Sequence, residues 1–114
     1  MIKIKFYTKS NKYVGLESIG HAGYSEYGKD IVCAAISSIT QSLALGVLQV
    51  LKLKAKYKVD EKKGYLELRL PEIKDDSVLE KTQVLFETAL LSLKDFQNGY
   101  PSNIKVEVKD YDVY

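Results

Sequence analysis

The chain has 114 residues, enough for one domain and too few for a second with its own core. With 46% apolar and 28% charged residues it is expected to fold as a globular protein rather than a disordered tail, in a core that needs no staples. One cysteine excludes an intrachain disulfide, and a net charge of +2, with all but one of 17 basic residues lysine, makes no case for a dedicated nucleic-acid binder.

The opening "MIKIKFYTKS" lacks the apolar run of a signal peptide. Ile2, Ile4 and Phe6 alternate with Lys3 and Lys5, which predicts a half-buried strand over 2–8. "SNK" at 10–12 reads as a turn, and 13–19 as a second strand with Val14, Leu16 and Ser18 on its inner side. Gly20, Gly23 and Gly28 make 20–29 irregular backbone. Asp30 is the expected N-cap of a helix running to about Leu51. Ile31, Ala35, Ile36, Ile39, Leu43, Val47 and Val50 form its apolar stripe. With Val32, Leu45 and Leu48 spreading apolarity further round, the helix is expected to be buried on most sides. Gly46 lowers its stability by about 1 kcal/mol relative to alanine, so a close neighbour is expected there. The run 31–51 is the most membrane-like stretch, but its serines, threonine and glutamines argue against a span.

A second hairpin follows. Tyr57 and Val59 alternate with lysines, "DEKKG" turns, and Tyr65, Leu66, Leu68 and Leu70 lead to Pro71. Residues 75–99 form an amphipathic helix capped around Asp75 to Ser77, with Val78, Thr82, Leu85, Ala89, Leu93 and Phe96 inward. Asn98-Gly99 and Pro101 end it. A last strand over 103–111 points Ile104, Val106 and Val108 inward. The order β-β-α-β-β-α-β predicts an α+β fold: a largely antiparallel sheet with two helices packed on it.

The only histidine and the only cysteine lie twelve positions apart, at His21 and Cys33. If the helix starts at Asp30, Cys33 sits in its first turn, where the partial positive charge favours a thiolate. A histidine within reach would serve as its base, and backbone N–H groups near the helix start would hold an oxyanion. Against this stands the ordinary fate of a lone cysteine, packed as a small hydrophobe among Val32, Ala34 and Ala35. The glycine-rich stretch fits neither the Walker pattern nor G-x-G-x-x-G, and Asp30 would repel a phosphate. One His and one Cys leave a tetrahedral zinc short of ligands, so no metal and no cofactor is expected.

Residues 20–37, "GHAGYSEYGKDIVCAAIS", resemble the ribosomal-processing cysteine protease family, Prp. Gly20, His21, Ala22, Gly23 and Tyr24 match its first block. Gly28, Asp30, Ile31, Val32, Cys33, Ala34, Ala35 and Ser37 match its second, while Ile36 stands where valine is expected. The resemblance implies a small homodimeric bacterial cysteine endopeptidase that removes a short N-terminal extension from a protein of the large ribosomal subunit. It implies Cys33 as nucleophile and His21 as general base. Asp30 and Ser37 are motif residues, Asp30 expected to cap the helix and Ser37 to contact substrate or orient the dyad. Gly20, Gly23 and Gly28 are expected hinges of a loop that orders over the substrate. Tyr24 and Tyr27 read equally as aromatics lining a substrate groove or as packing within that loop. No third member of the dyad is assignable; Asn11, Asn98 and Asn103 are loop residues. The expected setting is the cytoplasm, without membrane attachment or direct nucleic-acid binding. The rival reading is a non-catalytic ribosome- or RNA-associated module, resting on "KLKAKYK" at 52–58 and nine tyrosines. Asp60 and Glu61 directly after that run weaken it.

Overall fold

The computed structural model describes residues 1–20 and 27–111, with side chains from residue 31 onward in the second segment. Strand β1 (Ile2–Lys9) and strand β2 (Lys12–Ile19) form the first hairpin. Ser10 (φ 51°) and Asn11 (φ 62°) supply its two-residue turn, both left-handed as a type I′ turn requires. Helix α1 (Tyr27–Leu45) continues through one π turn, Gly46–Val50. Strands β3 (Lys56–Asp60) and β4 (Tyr65–Arg69) form the second hairpin. Helix α2 (Asp76–Gly99) and strand β5 (Ile104–Asp110) complete the chain.

The five strands make one sheet in the order β3-β4-β2-β1-β5. Every pairing is antiparallel except β1 with β5. That exception follows from connectivity, because a strand returning by way of α2 can lie parallel to β1, which no tight turn permits. The expected α+β architecture and element order are therefore the observed ones.

Both helices cover one face of the sheet. Phe6, Ile4, Leu16, Leu68 and Ile104 rise from the strands to meet Val32, Val47, Phe86 and Leu93, all nearly sealed from solvent. Phe86 meets Phe6 edge-on at 6.3 Å between centroids and stacks on Tyr13 at 6.1 Å. Tyr13 reaches this cluster because the β1–β2 register slips after Tyr7: Tyr7 faces Gly15 but Thr8 faces Tyr13. Val14 is the extra residue, so Tyr13 takes the inner place expected of Val14. Cap and stop signals of α2 stand where expected, with the Asp75 carboxylate accepting from the Val78 N–H at 3.1 Å. Its buried side is wider than the predicted stripe and includes Phe86 and Leu90.

Three expectations about burial change. The buried stripe of α1 is Val32, Ile36, Thr40, Leu43 and Val47, whereas Ile31, Leu45 and Val50 stand exposed. This helix has its outer side in solvent, because α2 and the sheet occupy only one flank. Val108, expected inward, is 46% exposed, since β5 is an edge strand with no neighbour on its outer side. Residues Ile31–Val50, at 20 residues and mean hydropathy 1.9, do reach the length and apolarity of a membrane span. Part of that apolarity, 39% of the segment being buried, packs on the sheet and on α2. Gly46 has the close neighbour its position called for: an added Cβ would come within 3.0 Å of a Leu85 methyl. The absent side chain lets α1 pass close to α2. Lys52 (φ 56°) then ends the helix, with the Leu53 N–H returning to the Val47 carbonyl at 3.0 Å.

Among the described residues the other face of the sheet carries no helix and is organised by polar contacts. Arg69, the single arginine, bonds Glu67 at 2.8 Å and lies over the rings of Tyr7 and Tyr111. It lies opposite Gly15 of β2, where an added Cβ would come within 3.0 Å of the Leu68 carbonyl oxygen. Glu17 accepts from the hydroxyls of Tyr7 and Tyr65.

Candidate active site

A cleft of about 310 Å³ opens between α1 and the β3–β4 end of the sheet. Its wall is one face of α1: Cys33, Ile36, Ser37, Thr40 and Gln41, at the three- and four-residue spacing that stacks side chains along a helix. Its floor is apolar, from Ile2, Val59 and Leu66. Gly20, Gly64 and Tyr65 close one end, and Asp60 and Glu61 form the rim.

Cys33 is half-buried, packed against the core on one side and facing the cleft on the other. The helix begins at Tyr27, three residues before the expected cap, so Asp30 lies inside it and does not cap it. Cys33 becomes the seventh helical residue rather than a first-turn residue. The field of a helix terminus falls off within the first turn, so the position owes little to it.

Gly20 holds the other side of that end. Its φ of +115° is one that side chains rarely adopt, and an added Cβ would sit 2.5 Å from the Met1 carbonyl oxygen. Its N–H donates to the Gly64 carbonyl at 3.0 Å. Gly20, expected as a hinge, follows the last residue of β2 directly, and His21 is the next residue in the chain. His21, Gly23 and Tyr24 lie outside the described residues, as do the side chains of Tyr27 and Asp30, while Gly28 is a backbone position of α1. Of the site residues read from sequence, the structure thus brings Cys33, Ser37 and Gly20 into one cleft.

Several residues of the cleft escaped the sequence reading. Thr40 and Gln41 carried a usable signal, lying seven and eight positions after Cys33 on the same helix. Val59, Asp60 and Tyr65 carried none, because only the β2–β4 pairing brings the second hairpin beside α1. Most polar groups here already have partners. The Thr40 hydroxyl donates to the Ile36 carbonyl at 3.0 Å, Asp60 accepts from the Lys63 N–H, and the Tyr65 hydroxyl donates to Glu17 at 3.0 Å. Burial first, and then the Glu17 carboxylate, push the Tyr65 hydroxyl up to about 12, so it stays protonated at neutral pH. Among the described residues no three His, Cys, Asp or Glu side chains gather as metal ligands.

A half-buried thiol on a helix wall, facing a cleft with an apolar floor, is placed where a nucleophile could meet a bound molecule. A family model described as cysteine protease Prp matches residues 1–105. The ribosomal processing cysteine protease Prp of Bacillus subtilis (strain 168) is 28% identical over 93 residues, covering 82% of this chain and 83% of its own. The Prp of Staphylococcus aureus (strain Mu50) is 28% identical over 90 residues, covering 79% of this chain and 81% of its own. Among solved structures, SMU.848 from Streptococcus mutans superposes with a TM-score of 0.85 at 32% identity, over 96% of this chain and 95% of its own. The S. aureus Prp in complex with a covalently linked product peptide gives 0.81 at 25% identity, over 96% of this chain and all of its own (100%). The chain belongs to the cysteine protease Prp family, and it is a cysteine protease.

Proposed function

We propose that this protein removes the N-terminal extension of a large-subunit ribosomal protein precursor, with Cys33 as nucleophile and His21 as general base. The observation that carries the reading is the shared cleft: Cys33 faces it from α1, and Gly20, whose successor is His21, closes one end. The names of the relatives specify ribosomal processing, and one solved relative carries a product peptide covalently linked. Family membership in a cysteine protease displaces the rival reading of a non-catalytic module.

The chemistry is that of an activated thiol. His21 takes the Cys33 proton, and the sulfur adds to the scissile carbonyl carbon. The resulting oxyanion collapses, breaking the C–N bond as the protonated His21 gives its proton to the leaving amine. Water, deprotonated by His21, then attacks the thioester and releases the acid with Cys33 restored. We place this activity in the bacterial cytoplasm, on a homodimer, with Gly23, Gly28, Tyr24 and Tyr27 in the segment that meets the substrate.

Two measurements test it. The rate of Cys33 alkylation against pH is expected to reveal a thiolate population below about pH 8 that disappears in His21→Ala. A thiol whose alkylation profile ignores His21 overturns the dyad. Incubation with the ribosomal precursor is expected to release the extension with the wild type and not with Cys33→Ala. Cleavage by that variant removes Cys33 from the mechanism.

A further inference from the structure

The wall of the cleft has a regularity that the family motif does not contain. Cys33, Ser37 and Gln41 follow one another at four-residue steps, and all three line the same cleft. From Cys33 to Gln41 the helix rises about 12 Å, at 1.5 Å per residue. An extended peptide advances about 3.3 Å per residue, so the same stretch matches roughly four substrate residues. Opposite this wall, Val59 of β3 and Leu66 of β4 pair in register on the helix side of the sheet. Val59 is 46% exposed, an apolar surface that neither helix covers.

Most of the polar groups along this track are committed elsewhere. Thr40 is held to the helix backbone, Asp60 to its own turn, and Tyr65 to Glu17 on the far face. Gln41 is exposed, and among the described residues it forms no hydrogen bond. Glu61 on the rim only accepts. A carboxamide both donates and accepts, which is what one peptide unit of an extended strand presents. A long polar side chain with that pair of functions, one helix face along from the nucleophile, is suited to hold backbone without selecting a side chain.

The geometry points to Gln41 as a substrate-binding residue that pairs with the backbone of an extended peptide three to four residues from the scissile bond, across an apolar floor made by Val59 and Leu66. This rests on the protease reading of the same cleft and adds to it a substrate conformation and a minimum substrate length. Catalysis at Cys33 then draws binding energy from a remote peptide unit, so that short peptides are poor substrates even when the scissile residues are correct.

The test compares two peptides spanning the precursor's cleavage site, one with six residues on each side and one trimmed to two on each side. Wild type, Gln41→Ala and Gln41→Glu are assayed on both, with thermal melting to establish that each variant is folded. Two backbone hydrogen bonds lost to Gln41→Ala are expected to lower kcat/KM on the long peptide about tenfold, through KM. On the short peptide Gln41→Ala is expected to equal wild type. Gln41→Glu keeps the acceptor and loses the donor, and is expected to fall between the two. Trimming one side at a time identifies the side that Gln41 reads. Equal effects on both peptides, or none on the long one, overturn the inference while leaving the protease standing. A wild type that cleaves neither peptide nor precursor overturns the processing assignment, and this inference with it.

Discussion

Replacing Gly20 with alanine isolates the contribution of one backbone position beside the cleft. The native φ of +115° lies where only glycine is at ease, and holding another residue there costs about 1–3 kcal/mol. The added Cβ would also stand 2.5 Å from the Met1 carbonyl oxygen, a contact that backbone must move to relieve. The neighbouring backbone resists, since Ile2 is 3% exposed and its N–H is held by the Asn103 carbonyl at 2.9 Å. Together these give a loss of about 2–4 kcal/mol, which for a domain of this size lowers Tm by roughly 10 °C. Gly99→Ala is the matched control, because a Cβ there meets nothing within 4 Å and the position ends a helix. It is expected to be neutral or to stabilise by up to about 1 kcal/mol. Both variants are melted by circular dichroism under one buffer condition. If Gly20→Ala melts within about 2 °C of wild type, the pinned geometry of this strand end is wrong. A Gly99→Ala variant as damaged as Gly20→Ala would show that the effect is not specific to the site.

Phe86→Ala removes a fully buried ring that touches both Phe6 and Tyr13. It is expected to cost about 3–5 kcal/mol in urea unfolding, and a loss below about 1 kcal/mol would contradict the packing described here. Glu67, buried on the helix-free face, has its carboxyl held below the usual 4.5, first by the hydrogen bond from Arg69 and then by Lys56, against the opposing effect of burial. A depressed folded-state pKa contributes stability that is complete above the unfolded value and is lost as pH falls through the folded one. Urea midpoints at pH 7 and pH 3 are therefore expected to differ less in Glu67→Gln than in wild type, and identical differences would remove Glu67 from the acid response.

Strand alternation, the Ser10–Asn11 turn, the Asp75 cap and the Asn98-Gly99 stop are local events, and the chain declares them through a few adjacent residues. That is why element order and fold class were legible without any tertiary information. The second motif block likewise singled out Cys33 and Ser37, which line one cleft because four-residue spacing on a helix is a local rule. Where the reading failed, the cause was a neighbour distant in the chain. One extra residue in β2 exchanged Tyr13 for Val14, and the open flank of α1 exposed Ile31, Leu45 and Val50. The start of α1 moved to Tyr27, taking Asp30 off the cap and Cys33 out of the first turn.

Sequence by itself determined the repertoire: five strands, two helices, one thiol and one imidazole, and the family to which their spacing belongs. Only the tertiary structure decided that β3 and β4 stand beside α1, which turns one helix face into the wall of a cleft with Val59 and Leu66 beneath it. The physical reason is the pairing of β4 with β2, an interaction across about fifty residues that no local pattern announces. The residues that give the cleft its floor are for that reason visible only after the sheet has formed.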